Sequence, residues 1–301
     1  MLLSNLRHFC WTLVLFTYRD HKTIVFPVVS AFSIHSKFYL MSLQTVFACA
    51  AAPVESPTRL LYGIFWTWLH LLQACVSNQY QNIAEDTINR PWRPLPSGRI
   101  SQKSAAVMRW LLVPICAAAS VAFGQGALIP SLSLTALLIA HNEFGFASHW
   151  LTKNILNSLG YLCFEFGATT IMNSGSQLDV IALQSLLCSC LVILTTIHAQ
   201  DFSDIDGDIA LGRVTLPIYA PSTSRVFTFI ALVVWSDILG LLWSVGPRSH
   251  LALCGLGGVV GWRFFQFRTR KDDANTYLAY NVWLLATHLL PVQARWNVLR
   301  F

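Results

Sequence analysis

The sequence predicts an all-α fold, a polytopic membrane helical bundle of about nine transmembrane helices. Of the 301 residues, 54% are hydrophobic and only 11% are charged, whereas a soluble globular domain carries about 25% charged residues. Nine apolar stretches approach the roughly 20 residues that a membrane-spanning helix needs. No segment alternates polar and apolar residues for long enough to indicate a transmembrane β-barrel. Each span must therefore satisfy its own backbone hydrogen bonds as a helix.

The predicted spans are distributed along most of the chain. They are residues 22–36, 59–80, 104–123, 126–142, 155–173, 178–200, 223–245, 249–266 and 275–293. Before them, a short apolar run after Arg7 resembles a signal peptide, but it lacks a small-residue cleavage site. We interpret residues 1–21 as an N-terminal interfacial segment and residues 22–301 as one transmembrane domain.

The positive charges lie in particular loops between the spans. The loops after spans two, six and eight contain Lys or Arg, while those after spans three and five contain neither. Because positively charged loops face the cytosol, we expect the even-numbered loops on that side. The formal charge of +6 is explained by this topology, so we expect a lipid bilayer as partner and no nucleic acid. The membrane is expected to be the endoplasmic reticulum if the source is fungal.

The first acidic segment follows the second predicted span. Asn78, Asn82 and Asp86 are spaced four residues apart, so on a helix their side chains share one face. Oxygen atoms at this spacing can converge on one hard cation, and Mg²⁺ accepts one or two protein carboxylates alongside substrate phosphates. The alternative is an ordinary helix end with solvated polar side chains.

The second acidic segment follows the sixth predicted span and is more specific. Asp201, Asp204 and Asp208 stand at positions i, i+3 and i+7 of one helical face. Asp206 points elsewhere. Three carboxylates on one face repel each other, so the spacing predicts a cation between them. Solvated acids at a helix end are again the alternative.

A turn-rich loop with three arginines, RPWRPLPSGR, follows the first acidic segment from Arg90 to Arg99. Guanidinium groups bind phosphate oxygens in a bidentate manner, so Arg90 and Arg93 are candidate contacts for a phosphorylated substrate. Membrane topology alone could also account for these charges, and we prefer that explanation for Arg99 and Lys103.

These segments resemble the signatures of the UbiA superfamily of intramembrane prenyltransferases. Residues 78–99 are similar to an NDxxDxxxD segment followed by an RPxRPxPSG loop. Residues 201–217, DFSDIDGDIALGRVTLP, are similar to DxxDxxGD followed by GxxTLP. The order, the spacing and the placement at the ends of spans two and six agree with that family. The resemblance covers most of the chain from about residue 19 onward.

The resemblance implies a helical bundle with a lateral opening to the bilayer and an apolar tunnel for an isoprenyl tail. Two Mg²⁺ ions would hold the diphosphate, whose departure leaves an allylic carbocation. The implied metal ligands are Asn82, Asp86, Asp201, Asp204 and Asp208. The four aspartates among them are also the predicted catalytic residues. The predicted substrate contacts are Asn78, Arg90, Arg93 and Lys153. Lys153 is included because it resembles a basic position in a cytosolic loop of the family.

The sequence departs from the family pattern at both motifs. Gln79 and Asn82 stand where the family usually has Asp, and Ile197 and Gln200 replace its usual Tyr and Lys. That Tyr and Lys are associated with the diphosphate and the reacting centre, so their replacement argues against ordinary acceptor prenylation. With the EDTINRPWRPLPSGR form of the loop, these changes resemble a fungal branch that includes membrane-bound terpene cyclases. We therefore predict cyclisation of farnesyl diphosphate.

Two alternatives remain open. The protein could be a prenyltransferase that passes the isoprenyl group to an aromatic or other small acceptor. It could also be a non-catalytic membrane protein such as a transporter. The three carboxylates of the second segment argue against the latter, because a protein without this activity would not need three like charges on one face.

Other residues of the predicted spans are weaker candidates. Tyr161, Phe164 and Phe166 could line the substrate cavity, where aromatic faces would stabilise a carbocation. Glu165 and Asp237 are isolated acids within predicted spans, and such acids are costly in lipid. Each is either functional or paired with a polar neighbour on another helix.

Overall fold

The structure is a computed structural model that describes residues 2–25, 43–175 and 177–300. Apart from an isolated bridge between His149 and Val214, its regular structure in these residues is helical. The α-helices are α1 (Leu2–Val25), α2 (Leu43–Ala51), α3 (Pro57–Gln81), α4 (Ile83–Asn89), α5 (Gln102–Phe123), α6 (Leu128–Asn142), α7 (Trp150–Met172), α8 (Val180–Thr196), α9 (Ile205–Ala210), α10 (Leu216–Tyr219), α11 (Pro221–Leu242), α12 (Pro247–Gln266), α13 (Arg270–Leu289) and α14 (Pro291–Trp296). Turns of 3₁₀-helix cover Gln125–Ala127, Phe146–Ser148 and Ile197–Ser203.

The predicted spans from residue 59 onward coincide with α3, α5, α6, α7, α8, α11, α12 and α13. The first predicted span, 22–36, lies mostly outside the described residues. Within the described part of the chain, four helices combine the length and the mean hydropathy of a membrane span. They are α3, α5, α11 and α8 with its extension to Ser203. Only 22% of the apolar window of α5 is buried inside the protein, as a lipid-facing helix requires.

The two N-terminal helices, α1 and α2, do not correspond to predicted spans. α1 continues across the predicted boundary at residues 21 and 22, and its Phe16 is buried in the cluster that contains Leu69 and Leu72 of α3. The interfacial position of residues 1–21 stays a prediction. α2 lies where no span was predicted, because its nine residues are too few to cross a bilayer.

A close contact between α3 and α7 sets the position of the first acidic segment. The indole of Trp66 on α3 is fully buried, and its Nε1 donates a hydrogen bond to Ser120 Oγ on α5 (2.8 Å). A Cβ atom at Gly167 of α7 would lie 2.2 Å from the Trp66 ring, so this approach requires glycine. The contact packs α3, which ends at the first acidic segment, against α7, which carries Lys153.

Candidate active site

The first acidic segment lies at the junction of α3 and α4. α3 ends at Gln81 because Asn82 leaves the helical region (φ −113°, ψ 32°), and α4 begins at the next residue. The backbone hydrogen bonds from Asn82 N–H to the Asn78 carbonyl (3.2 Å) and from Asp86 N–H to the Asn82 carbonyl (3.0 Å) continue through this break. The three residues therefore remain on one side of the chain.

The second acidic segment forms a 3₁₀ turn instead of the continuous α-helix that its spacing suggested. The turn contains Asp201, and Asp204 then links it to α9, which carries Asp208. The bond from Asp204 N–H to the Asp201 carbonyl (3.1 Å) spans three residues, as in a 3₁₀-helix. Asp201 and Asp208 are 2% and 4% exposed, while Asp206 faces solvent.

The side chain of Phe202 holds the 3₁₀ turn against the helical bundle. Phe202 is buried, and the guanidinium carbon of Arg225 lies 4.3 Å from its ring centroid. Arg225 is in turn held by two hydrogen bonds to the buried carboxylate of Asp273 (2.9 and 2.8 Å). Residues of α11 and α13 thus hold the backbone beside Asp201 in place.

Asp86 is paired with the arginines of the turn-rich loop. Arg93 Nη1 donates to both carboxylate oxygens of Asp86 at 2.8 Å, and Asp86 is only 1% exposed. Arg90 lies 3.8 Å from Asp86 and 4.0 Å from Asp204. Arg90 therefore lies between the two acidic segments.

Lys153 of α7 joins the carboxylates of the second segment. Its Nζ donates to Asp201 Oδ1 (2.7 Å) and lies 3.9 Å from Asp208 Oδ2. The residues predicted for metal and substrate binding are therefore gathered at one end of the bundle, although they are spread over the sequence from Asn78 to Asp208.

Arg213 also belongs to the site, although it was not among the residues predicted to bind metal or substrate. Its Nη2 donates to Asn82 Oδ1 (2.8 Å), across 131 residues of sequence. Its Nη1 lies 3.4 Å from Asp208 Oδ1 and 3.6 Å from Glu85 Oε2. Arg213 therefore connects both acidic segments. Its place within the GRVTLP stretch, beside the second motif, was the available signal.

A cavity of about 550 Å³ extends from this charged end into the helical bundle. On α3 its lining runs from Thr67 to Gln79, which corresponds to about 18 Å of helix. The polar lining near the motifs comprises Asn78, Gln79, Arg90, Arg93, Gln200, Ser203 and Asp204. The apolar lining includes Leu71, Leu134, Leu137, Leu138, Leu156, Tyr161 and Phe164. The cavity thus has a charged mouth and an apolar interior, as a ligand with an anionic head and a hydrocarbon tail requires.

The second acidic segment has the chemistry to hold a divalent cation. Among the described residues, the buried Oδ2 atoms of Asp201 and Asp208 have no hydrogen-bond partner. Asp204 is part of the same cluster, and its side chain is 44% exposed. Buried carboxylate oxygens without a partner are costly, and Mg²⁺ prefers such oxygens as ligands. These residues therefore fit a Mg²⁺ ion.

The weaker candidates divide between the cavity and the protein core. Tyr161 and Phe164 line the cavity, whereas Phe166 packs against another cluster that contains Phe47 and Leu186. Phe166 is five residues from Tyr161, and on an α-helix this spacing places it on a different face.

The two isolated acids both have polar neighbours. Glu165 is fully buried and accepts a hydrogen bond from Ser189 Oγ (2.9 Å), beside His288 (3.7 Å). Asp237 Oδ1 lies 3.1 Å from His250 Nε2. These contacts favour the interpretation that each acid is paired with a polar residue of another helix.

Comparison with known proteins places this architecture in a family. The model of the UbiA prenyltransferase family matches residues 39–285. The chain is 30% identical to fumagillin beta-trans-bergamotene synthase af520 of Aspergillus fumigatus over 237 residues, 78% of this chain and 81% of that protein. It is 25% identical to somaliensene A/B synthase of Streptomyces somaliensis over 287 residues, 92% of this chain and 89% of that protein.

A solved structure shares the fold. A UbiA homolog from Archaeoglobus fulgidus, solved bound to DMAPP and Mg²⁺, superposes with a TM-score of 0.67 at 13% identity. The match covers 96% of this chain and 99% of that structure. The predicted all-α membrane bundle is thereby confirmed. From the family match across most of the chain, together with the apolar helices and the charged cavity, we conclude that the protein is an integral membrane enzyme of the UbiA prenyltransferase family.

Proposed function

We propose that this enzyme is a Mg²⁺-dependent sesquiterpene cyclase that ionises farnesyl diphosphate without a second substrate. The observation that carries the proposal is the cavity of about 550 Å³, whose charged mouth opens into an apolar interior. A diphosphate fits the mouth and an isoprenyl chain fits the interior. The similarity to fumagillin beta-trans-bergamotene synthase and to somaliensene A/B synthase supports cyclisation.

At the mouth, basic side chains would hold the diphosphate. Arg90 and Arg93 line the cavity beside Asn78, and guanidinium groups bind phosphate oxygens strongly. Lys153 lies on the other side, next to Asp201, where it would share a phosphate oxygen with the metal site. Bound at the second acidic segment, Mg²⁺ would act as a Lewis acid that stabilises the charge of the departing diphosphate.

The interior of the cavity suits the carbocation that remains after diphosphate leaves. Its leucine side chains offer no nucleophile that could capture the cation. The rings of Tyr161 and Phe164 line the same space, and an aromatic face stabilises a nearby cation by about 0.5–2 kcal/mol. The remaining double bonds of the isoprenyl group are then the nearest nucleophiles, so their attack on the carbocation would close a ring.

Prenyl transfer to a small acceptor is the second candidate. The cavity lining includes Asn142, Asn157 and Asn275 in addition to the motif residues. These amides could orient a polar acceptor. Against this candidate, Gln200, which also lines the cavity, replaces the lysine that the family usually has at this position.

The charged loops also indicate which side of the membrane the site faces. Both acidic segments follow even-numbered predicted spans, whose loops carry Lys and Arg, so we propose that the charged mouth faces the cytosol. In a fungal source the membrane would be the endoplasmic reticulum. Farnesyl diphosphate would then enter from the cytosolic side.

Product analysis tests the proposal. Membranes that contain the protein are incubated with farnesyl diphosphate and Mg²⁺ without acceptor, and volatile products are identified by gas chromatography–mass spectrometry. We expect a cyclic hydrocarbon that is lost with Asp201→Ala and retained with Asp206→Ala, a change at the exposed acid of the same segment. Consumption of farnesyl diphosphate only after an aromatic acceptor is added would refute the cyclase and support the transferase.

A further inference from the structure

His141 of α6 lines the cavity and continues a row of three leucines. Leu134, Leu137 and Leu138 of the same helix also line the cavity. The spacing i, i+3, i+4 and i+7 places all four side chains on one helical face. His141 is the member of this face that lies nearest to the end of α6 at Asn142.

A hydrogen bond between α6 and α3 fixes this end of the helix beside the charged mouth. Asn142 Nδ2 donates to Ser77 Oγ on α3 (3.1 Å), and the next residue, Asn78, is part of the polar lining of the mouth. The imidazole of His141 therefore lies near the mouth. The first carbons of an isoprenyl chain would lie at this level of the cavity, behind the diphosphate.

The neighbouring amide determines which ring nitrogen of His141 is free. Because Asn142 Nδ2 donates to Ser77, Asn142 Oδ1 is the atom that lies 3.1 Å from His141 Nδ1. A carbonyl oxygen only accepts hydrogen bonds, so Nδ1 carries the proton of the neutral imidazole. Nε2 then has a free lone pair, and it has no hydrogen-bond partner among the described residues.

The other polar groups of the cavity lining are poorer proton acceptors. They are arginines, neutral amides, hydroxyl groups, one thiol and the carboxylate of Asp204, which belongs to the proposed metal site. Arginine is already protonated, and amides are far weaker bases than imidazole. His141 is therefore the one neutral nitrogen base in the cavity lining that the described residues form.

A cyclisation that ends in a hydrocarbon must release one proton from carbon. We propose that Nε2 of His141 is the base that takes this proton. A C–H bond next to the cationic carbon breaks, its electron pair becomes the new double bond, and Nε2 forms an N–H bond. The imidazolium then passes the proton to water at the mouth. The inference rests on the proposed function, because it requires that the site form an isoprenyl carbocation.

Product analysis with variants of His141 tests the proposal. Wild type, His141→Gln and His141→Phe are purified as full-length chains in lipid nanodiscs and supplied with farnesyl diphosphate and Mg²⁺. Diphosphate release gives kcat and KM, and gas chromatography–mass spectrometry identifies the products. His8→Gln is the matched control, because His8 is exposed on α1 and is absent from the cavity lining.

Both variants of His141 should still ionise the substrate, with kcat and KM for diphosphate release within about threefold of wild type, because ionisation precedes proton loss. This activity also shows that the variants are folded. The share of the wild-type hydrocarbon among the products should fall at least about tenfold, since a positioned base contributes about 10²–10⁴-fold to proton transfer. Double-bond isomers and terpene alcohols should replace it, whereas His8→Gln should keep the wild-type products.

Two results would overturn the proposal. An unchanged product profile in both variants of His141 would assign the proton to the departing diphosphate, which is the other base in the site. A rise in KM of about tenfold or more with unchanged products would make His141 a contact for the diphosphate instead of the base.

Failure of the cyclase itself would look different. If the wild type forms a hydrocarbon and the variants form the same one, the cyclase stands and the role of His141 is wrong. If the wild type forms product only after an aromatic acceptor is added, the cyclase is wrong, and the variants are compared in that reaction. There the proton leaves the ring carbon that has received the isoprenyl group, and equal prenylation by wild type and His141→Gln would overturn the inference as well.

Discussion

The length of the isoprenyl chain should depend on the space next to Gly160. Gly160 lies on α7 and lines the cavity. A Cβ atom added there would meet one neighbouring atom within 4 Å, Leu134 Cδ1 at 4.0 Å, which is ordinary van der Waals contact. A leucine at this position would therefore fit without clashing at its Cβ and would place its remaining carbons in the cavity.

The size of the effect follows from the apolar surface that the substrate would lose. The four carbons that Gly160→Leu adds are close to the five carbons of one isoprene unit, by which farnesyl exceeds geranyl diphosphate. Burial of a methylene group contributes about 0.8 kcal/mol, so loss of one unit costs about 4 kcal/mol. This corresponds to about a 10³-fold change, an upper limit because neighbouring side chains can adjust.

The assay compares kcat/KM for diphosphate release from farnesyl and geranyl diphosphates. In Gly160→Leu, the preference for farnesyl over geranyl diphosphate should fall by about 10²–10³-fold. Gly255→Leu is the matched control, because Gly255 lies on α12, away from the cavity lining, and a Cβ there meets no atom within 4 Å. An unchanged preference in Gly160→Leu, equal to that of Gly255→Leu, would refute the placement of the isoprenyl chain in this cavity.

Three further substitutions test individual contacts. Lys153→Met should lower kcat for diphosphate release by about 10²-fold or more, because it removes a positive charge that would stabilise the departing diphosphate. Lys153→Arg keeps the charge and should retain more activity. Arg93→Gln should destabilise the protein by about 3 kcal/mol, because it removes both hydrogen bonds to the buried carboxylate of Asp86 and leaves only Arg90, at 3.8 Å, beside it; thermal unfolding in nanodiscs measures this loss. Asp179→Ala should destabilise by about 1 kcal/mol in the same assay, because Asp179 Oδ1 caps α8 through Ala182 N–H (2.9 Å).

Controls accompany these three predictions. For Arg93→Gln, adding Asp86→Asn should restore part of the lost stability; no recovery would show that the ion pair is not the cause. Asp179→Asn keeps a capping oxygen and should cost less than the alanine variant. Unaltered diphosphate release in Lys153→Met would contradict a role for Lys153 at the mouth.

Much of the helical framework could be predicted from the sequence, because long apolar runs in this chain correspond directly to helices. One exception is α2, whose nine residues are too few to be recognised as a span and include the polar residues Gln44 and Thr45. Its burial arises from packing against α7 and α13. The apolar residues of a segment can be identified from its sequence, but its packing against helices that are distant in the sequence cannot.

The acidic motifs could be located from spacing alone, but their partners could not. Spacing predicts which side chains of one segment share a face. It cannot predict that Arg213 reaches Asn82 across 131 residues, or that Arg93 donates to both oxygens of Asp86. The contact between Arg213 and Asn82 depends on how the chain after α9 meets the end of α3, and this depends on how the helices pack in the bundle.

Release of diphosphate from farnesyl diphosphate, with Mg²⁺ and no acceptor, tests the central claim most directly. The purified protein in nanodiscs is compared with Asp201→Asn and with Asp206→Asn, which alters the exposed acid of the same segment. Acceptor-independent ionisation predicts release by the wild type and by Asp206→Asn, and a loss of about 100-fold or more in Asp201→Asn. No release by the wild type without an acceptor, or equal release by Asp201→Asn, would contradict the account.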